Sequence, residues 1–176
     1  MISKTAIGHL VEKLGEKNVL YEKEDLLVLG YDATPGVHHL PEVVVYPSST
    51  EQVRAALEIA RREGLPIVPR GSGTGLSGGS VPAEGGMVVC LTRMNRVLEI
   101  DGENLTATCE AGVITLDLFN TVAAEGLFYP PDPGSQKVST LGGNIAENAG
   151  GLRGLKYGVT RDYIMALTAV LPDGEI

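Results

Sequence analysis

The sequence predicts an α+β fold, and three observations carry that prediction. A β-α-β pattern occupies residues 43–69, and a run of short consecutive strands with tight turns follows over 87–111. The third is the clustering of glycine in 71–86 and 134–158, which marks loops where backbone must come close to something.

Taken in order, Ser3 is placed to cap a helix whose apolar positions Ala6, Ile7, Leu10, Val11 and Leu14 follow a 3.6-residue period, with Gly15 as its stop. A second short helix is expected around 23–28, and 31–41 reads as a loop. Residues 43–46 form a compact β-branched strand ended by Pro47. Ser49 or Thr50 then caps a helix with Val53, Ala56, Leu57 and Ala60 on one face, and Gly64 ends it. Pro66-Ile67-Val68-Pro69 returns as a strand. Strands follow at 87–91, 96–100 and 105–111, the last two joined by the turn Asp101-Gly102-Glu103-Asn104. Leu105, Ala107, Cys109 and Ala111 alternate with polar residues, which predicts one buried and one wetter face. Thr115 is expected to cap a helix running to about Glu125 and stopped by Gly126. A long loop, 128–139, leads to a short helix beginning near Thr140, and 166–171 reads as a strand. Leu171-Pro172-Asp173-Gly174-Glu175-Ile176 then reads as strand, turn and the first residue of a returning strand. That pattern predicts a fragment of a longer polypeptide, with an ordinary C-terminal tail as the alternative.

Composition narrows the function. With 43% hydrophobic and 20% charged residues, the chain is built to fold rather than to remain disordered. Its net charge of −8 argues against a nucleic acid held through phosphates, so an anionic ligand must rely on backbone N–H groups and a few placed arginines. Cys90 and Cys109 each lie in an apolar stretch, which fits free buried thiols better than a disulfide or a metal site. No apolar run approaches the roughly 20 residues of a membrane span. Residues 1–4 lead into an amphipathic pattern rather than a signal peptide. The expected location is cytoplasmic, peripheral to a membrane only through partner subunits.

The strongest signal is Pro69-Arg70-Gly71-Ser72-Gly73-Thr74-Gly75-Leu76-Ser77-Gly78-Gly79-Ser80. Alternating glycines let successive N–H groups converge on one center and bind phosphate oxygens. Ser72, Thr74 and Ser77 add hydroxyls, and Arg70 is expected to bring positive charge to the rim. Gly73-x-Gly75-x-x-Gly78 matches the Rossmann dinucleotide pattern literally. That pattern needs a helix opening on the loop, and Gly79-Ser80-Val81-Pro82-Ala83 cannot start one there. A nucleoside-triphosphate loop needs Gly-Lys-Ser/Thr, and no lysine occurs between Lys23 and Lys137. The bland alternative is a flexible glycine linker.

A second cluster supports the first. Pro131-Asp132-Pro133-Gly134-Ser135 precedes Thr140-Leu141-Gly142-Gly143-Asn144-Ile145-Ala146-Glu147-Asn148-Ala149-Gly150-Gly151. Gly142 and Gly143 permit close backbone approach at a helix start, where free N–H groups are expected to point outward. Asn144 and Asn148 stand at i and i+4, so both amides are expected to face one ligand. Arg153, Lys156 and Arg161 add positive charge. A tight loop-and-helix packing element is the alternative, but two clusters in one short acidic chain favor a large, extended anionic cofactor.

These residues resemble a known family. Residues 69–80 are similar to the pyrophosphate loop of the PCMH-type FAD-binding domain of the vanillyl-alcohol oxidase superfamily. The stretch 131–151, then Tyr157-Gly158 and Leu171-Pro172-Asp173-Gly174, resembles its second half. In pattern the sequence is most similar to the branch holding the glycolate oxidase flavin subunit, D-lactate dehydrogenase and D-2-hydroxyglutarate dehydrogenase.

The resemblance implies a two-lobed domain: a small α/β lobe, a larger mainly antiparallel sheet with helices, and FAD extended between them. Residues 1–40 would be an N-terminal helical segment, 41–90 the first lobe, and 91–176 an incomplete second lobe. Gly71, Ser72, Gly73, Thr74 and Gly75 would bind the pyrophosphate, with Pro69 and Arg70 entering the loop and Ser77 and Gly78 closing it. Pro131, Asp132, Ser135, Thr140, Gly142, Gly143, Asn144, Asn148, Ala149 and Gly150 would line the isoalloxazine and ribityl regions. Gly151, Tyr157 and Gly158 would extend that lining, and Val113 would approach from the sheet side.

Some members attach the flavin covalently through a histidine in the first loop. Thr74 occupies that place, and 70–80 holds no His or Cys, so the resemblance implies noncovalent FAD. It also implies a 2-hydroxy-acid substrate, hydride transfer to flavin N5, and electron delivery to an iron–sulfur subunit or other acceptor. The catalytic His/Glu cluster would lie beyond residue 176, so no catalytic residue and no metal ligand is assigned within the chain. His38 and His39 sit in a loop where a proton-shuttling pair is conceivable, but a surface pair without chemistry fits better, and His9 falls on a polar helix face. Two other readings stay open. One is a different enzyme on the same fold, such as a UDP-N-acetylenolpyruvoylglucosamine reductase-like or ether-lipid synthase-like protein. The other is a nucleotide-binding module without turnover.

Overall fold

The computed structural model describes residues 2–176, which divide into two compact units. One unit runs to Arg93 and also takes in Thr168–Ile176; the other is Met94–Leu167.

The first unit opens with helix α1 (Lys4–Leu14), where Ser3 Oγ accepts the Ala6 amide at 3.1 Å and Gly15 ends the helix. A two-residue strand β1 (Val19–Leu20) and a short helix α2 (Lys23–Leu26) with a 3₁₀ turn follow. Strand β2 (Val43–Val45) leads into helix α3 (Thr50–Glu63), capped by Ser49 through the Gln52 amide at 3.2 Å. At its C-terminus Gly64 adopts the left-handed conformation, at φ 66°, that a stop signal requires. Strands β3 (Ile67–Arg70) and β4 (Met87–Cys90) complete a sheet of order β1-β2-β4-β3. β4 lies between β2 and β3 and is parallel to both, while β1 is antiparallel to β2.

The burial explains the composition of these strands. Val43 and Val45 face α1 and α3 together with Leu10, Leu14, Ala56, Ala60, Met87 and Val89. Val44 and Val88 face the opposite side with Leu26, Leu29 and Cys90. Both sheet faces are covered, so the strands read as continuous apolar runs rather than alternating ones.

In the second unit, β5 (Val97–Asp101) and β6 (Thr106–Cys109) form an antiparallel hairpin with a register irregularity between Val97 and Glu99. Asp101 organizes the turn: Oδ1 accepts the amides of Glu103 and Asn104, and Oδ2 accepts Asn104 Nδ2 at 2.7 Å. Helix α4 (Thr115–Ala124) packs Leu118 and Val122 against Val113 and Leu141. Helix α5 (Leu141–Glu147), a one-turn helix α6 (Gly154–Tyr157) and a 3₁₀ turn (Thr160–Tyr163) follow.

Three expectations are corrected here. Thr115 does not cap α4; Ile114 holds that position, and the fully buried Thr115 hydroxyl bonds to Ser139 O at 3.0 Å instead. The alternation along β6 does not bury its apolar set. Leu105 has φ 55° and is 73% exposed, Ala107 is exposed, and only Cys109 and Ala111 are half-buried. A two-stranded hairpin with an irregular register supplies little surface to cover that end. Residues 166–171 form no strand, because no described segment pairs with them. Val170 packs on the first unit's core, and the Leu171 amide bonds to Glu175 O at 2.8 Å to close a turn. Among the described residues no helix is long and apolar enough to cross a membrane, and no cluster of His, Cys, Asp or Glu suits a metal ion.

Leu10 has no exposed surface and sits where α1 meets the sheet, so Leu10→Ala is expected to lose about 2–5 kcal/mol, read as a lower urea midpoint. Glu110 gives a pH signature. Its buried carboxylate accepts Arg96 Nη2 at 2.7 Å and the Arg96 amide at 2.8 Å. The Arg96 side-chain bond holds its pKa below the usual carboxylate value despite desolvation, with help from the backbone bond and the arginine charge. A depressed folded-state pKa contributes stability above the unfolded value that is lost as pH falls through the folded one. Glu110→Gln is therefore expected to flatten the acid limb of a stability–pH profile measured by urea denaturation below pH 5.

Candidate functional site

Each unit carries one of the glycine-rich segments. In the first, β3 ends at Arg70, paired with Cys90 of β4, and the chain turns out into the loop 71–80. Gly73 and Gly78 take positive φ, 70° and 75°, which bends the loop back over the strand end. Among the described residues, the amides of Ser72, Gly73, Thr74 and Gly75 donate to no protein acceptor. Four consecutive open donors on a partly exposed loop are the kind of N–H run that can bind phosphate oxygens.

Arg70 is not at the rim. It is 7% exposed and lies beneath the loop, so close to Gly73 that a Cβ there would collide with its guanidinium. Nη1 donates to Tyr31 O at 2.8 Å and Ser80 O at 3.4 Å. Among the described residues no carboxylate pairs with it. A buried cation bonded only to carbonyls leaves its charge uncompensated, directly under the open amides. These residues fit the pyrophosphate of a dinucleotide: the loop amides are open, and the buried Arg70 guanidinium lies against Gly73.

The loop is also tied from a segment that the sequence left as plain connection. Thr34 Oγ1 accepts the Gly78 amide at 2.8 Å, and Asp32 Oδ2 accepts Ser80 Oγ at 3.3 Å while Oδ1 accepts the Thr34 amide at 2.8 Å. Desolvation raises the Asp32 pKa, yet the bonds from Thr34 and Ser80 outweigh it and hold the carboxyl below its ordinary value. The available signal was Asp32-x-Thr34 ahead of Pro35, an aspartate-anchored turn. The two loop histidines, His38 and His39, are exposed, as is His9.

The second segment departs further from expectation. The start of α5 offers no free donors. Leu141 N bonds to Val113 O at 2.8 Å, Gly142 N to Ala111 O at 2.7 Å, Gly143 N to Thr140 Oγ1 at 3.2 Å, and Asn144 N to Thr140 O at 2.9 Å. The reason is partly local and partly tertiary: Thr140 caps the helix while the distant chain at 111–113 runs across its end. Gly142 is small because a Cβ would press on Ala111 Cβ at 2.9 Å, which is a packing requirement. Val113 is a core residue, 1% exposed, not an open contact.

Asn144 and Asn148 do not face one ligand. Asn144 is buried, with Nδ2 donating to Thr115 Oγ1 at 2.7 Å. Asn148 ends α5 in the left-handed conformation, and its Oδ1 accepts the Arg161 amide at 3.0 Å. Asp132 is also committed. Oδ1 accepts the Arg153 amide at 3.0 Å, Oδ2 lies 3.6 Å from Arg153 Nε, and a Cβ at Gly151 would strike its oxygens. Arg153 itself lies over the Phe119 and Phe128 rings, and Lys156 lies over Tyr157. Ala149 O accepts both the amide and the hydroxyl of Thr160, and a Cβ at Gly158 would meet the Asp162 carboxylate.

What remains open in this unit is Gly150, Gly151 and Leu152, whose amides have no acceptor among the described residues. Pro131 is buried, Ser135 half-buried with its carbonyl accepting the amides of Val138 and Ser139, and Tyr157 lies edge-on to Phe128. Tyr129 is desolvated, which pushes its hydroxyl pKa up to about 12.

Comparison with known proteins places this geometry. Residues 41–176 match a family model described as "FAD binding domain". The chain is 52% identical over 176 residues to a glycolate oxidase subunit GlcD of Bacillus subtilis (strain 168), covering all of this chain and 37% of that protein. It is 48% identical over 136 residues to a D-lactate dehydrogenase of Anaerostipes hadrus, covering 77% of this chain and 28% of that one. Among solved structures, an alkyldihydroxyacetonephosphate synthase superposes with a TM-score of 0.82 at 25% identity, covering 92% of this chain and 32% of the other. The chain thus spans about a third of the length of the proteins it matches.

Gly73→Val puts a β-branched side chain at φ 70° and against the Arg70 guanidinium. It is expected to weaken dinucleotide binding by at least about tenfold, since positive φ disfavors it and the loop must shift off its charge. Isothermal titration with the preferred dinucleotide checks this, and unchanged affinity would show that the loop is not the cradle.

Proposed function

Because this chain belongs to the family of FAD binding domains, we propose that it forms the cofactor-holding part of a flavin-dependent dehydrogenase or oxidase of 2-hydroxy acids. FAD is the cofactor. The observation that carries the reading is the run of open amides at 72–75 above the buried, unpaired Arg70. Substrate class follows the relatives whose names include glycolate, D-lactate and D-2-hydroxyglutarate, at identities of 52%, 48% and 37%.

When bound, FAD supplies a two-electron acceptor for the α-hydrogen of the hydroxy acid. The residues of this chain bind and orient. Ser72, Gly73, Thr74 and Gly75 donate to the pyrophosphate oxygens, with Ser77 and Gly78 completing the turn. Arg70, buried against Gly73, would supply positive charge toward the phosphates, and its burial would strengthen that attraction relative to water. Gly150, Gly151 and the neighboring Leu152 amide offer the donors of the second segment, while Thr140, Gly142, Asn144, Asn148 and Asp132 act by holding that segment in shape. The proton acceptor for the hydroxyl is assigned to residues outside this chain. The word "subunit" in the name of the Bacillus relative supports a partner that takes the electrons, for which an iron–sulfur protein is our reading. The free thiols of Cys90 and Cys109 agree with a cytoplasmic setting.

The test is the full-length protein. It is expected to purify with flavin absorption bands, to release its flavin into the filtrate on acid denaturation, and to bleach anaerobically with glycolate, D-lactate or D-2-hydroxyglutarate. Absence of flavin together with no uptake of added FAD overturns the cofactor assignment. Flavin that no 2-hydroxy acid reduces overturns the substrate class. Flavin that stays with the precipitated protein overturns noncovalent attachment.

A further inference from the structure

We propose that Asp32 and Thr34 are positioning residues for the cofactor loop, so that a segment outside the matched family region sets how well the pyrophosphate is held. This rests on the reading of 70–80 as the pyrophosphate cradle. The matched region begins at residue 41, yet three of the loop's ties run to 31–34. Tyr31 gives its carbonyl to Arg70, Asp32 its carboxylate to Ser80, and Thr34 its hydroxyl oxygen to Gly78. Those ties grip both ends of the loop and leave 72–75 between them unbonded. The loop is fixed where it enters and leaves, and its donors stay free.

The order of donors and acceptors explains why these side chains are an aspartate and a threonine. Thr34 Oγ1 accepts from the Gly78 amide, so its own proton is available to give away. The Asp32 carboxylate accepts the Thr34 amide and the Ser80 hydroxyl. A carboxylate only accepts, so each Asp32 oxygen is matched to a donor, Oδ1 to the Thr34 amide and Oδ2 to the Ser80 hydroxyl. Asparagine at 32 keeps one accepting oxygen for the Thr34 amide but sets an NH2 against the donating Ser80 hydroxyl, and valine at 34 leaves the Gly78 amide without its partner. Asp32 is 7% exposed, so water is a poor substitute. The bond to Gly78 also holds that residue at φ 75°, the bend that turns the loop back over Arg70.

The experiment is an FAD titration of the flavin-stripped full-length protein, followed by quenching of flavin fluorescence, with wild type, Asp32→Asn, Thr34→Val and Thr34→Ser. Asp32→Asn and Thr34→Val are expected to raise the FAD dissociation constant about tenfold or more. Thr34→Ser keeps the hydroxyl and is expected to bind as wild type does. Melting temperatures of the flavin-free forms are compared alongside. Where Thr34→Val melts lower, Ser80→Ala, which removes only the tie from the loop side, is expected to show the same weakened affinity. Variants that bind FAD with the wild-type constant overturn the positioning role, as does a Thr34→Ser variant as impaired as Thr34→Val. A wild-type protein that takes up no FAD overturns the cradle itself.

Discussion

Val43, Val44 and Val45 lie beside Met87, Val88 and Val89 in parallel register, and none of these six side chains is more than 2% exposed. The rest of the first unit depends on that pairing. Parallel strands cannot be joined by a tight turn, so the chain leaves β2 through α3 and returns as β3 on the far side of β4. Helices must then cover both faces, which α1 and α3 do on one side and α2 with its 3₁₀ turn on the other. The end of β3 is fixed by its pairing of Arg70 with Cys90, and the glycine loop begins there. A loop that leaves a parallel strand at its carboxyl end, beside the buried strand β4, is set on a rigid base, which suits a binding element.

Charge at that base is arranged in an unusual order. Arg70 is folded inward under the loop, with the carbonyl oxygens of Tyr31 and Ser80 as its partners among the described residues, and the loop amides lie close by. In a chain of net charge −8, general attraction cannot draw in an anion. A buried cation and oriented dipoles supply the local field instead, and they need no reorganization when the ligand arrives.

The second segment illustrates the opposite case. Glycines at a helix start suggest donors waiting for phosphate, but the helix end must satisfy its amides somehow. Here Thr140 and the carbonyls of Ala111 and Val113 take all four, and Asn144 closes a buried network with Thr115 and Ser139. Most of this cluster's polar groups stabilize the shape of 140–161, leaving the short run 150–152 as its open donors. The residues are those the family pattern marks, and their work is largely done inside the protein.

Much was legible along the chain because it is governed by local chemistry. Caps at Ser3 and Ser49, a helix start near Thr140, stops at Gly15 and Gly64, the apolar face of α3, and the Asp101 turn depend on neighbors within four residues. The absence of a helix after the glycine pattern of 70–80 was likewise legible, and it removed the Rossmann reading. What local pattern could not decide was which groups a distant segment would claim. The inward turn of Arg70, the ties from Asp32 and Thr34 to a loop more than 40 residues away, and the loss of every free amide at α5 are tertiary facts. A hydrogen-bond donor looks the same in sequence whether it faces ligand or protein. Only the fold shows which acceptor reaches it first, and that decides which glycines cradle a ligand and which merely let two segments pack.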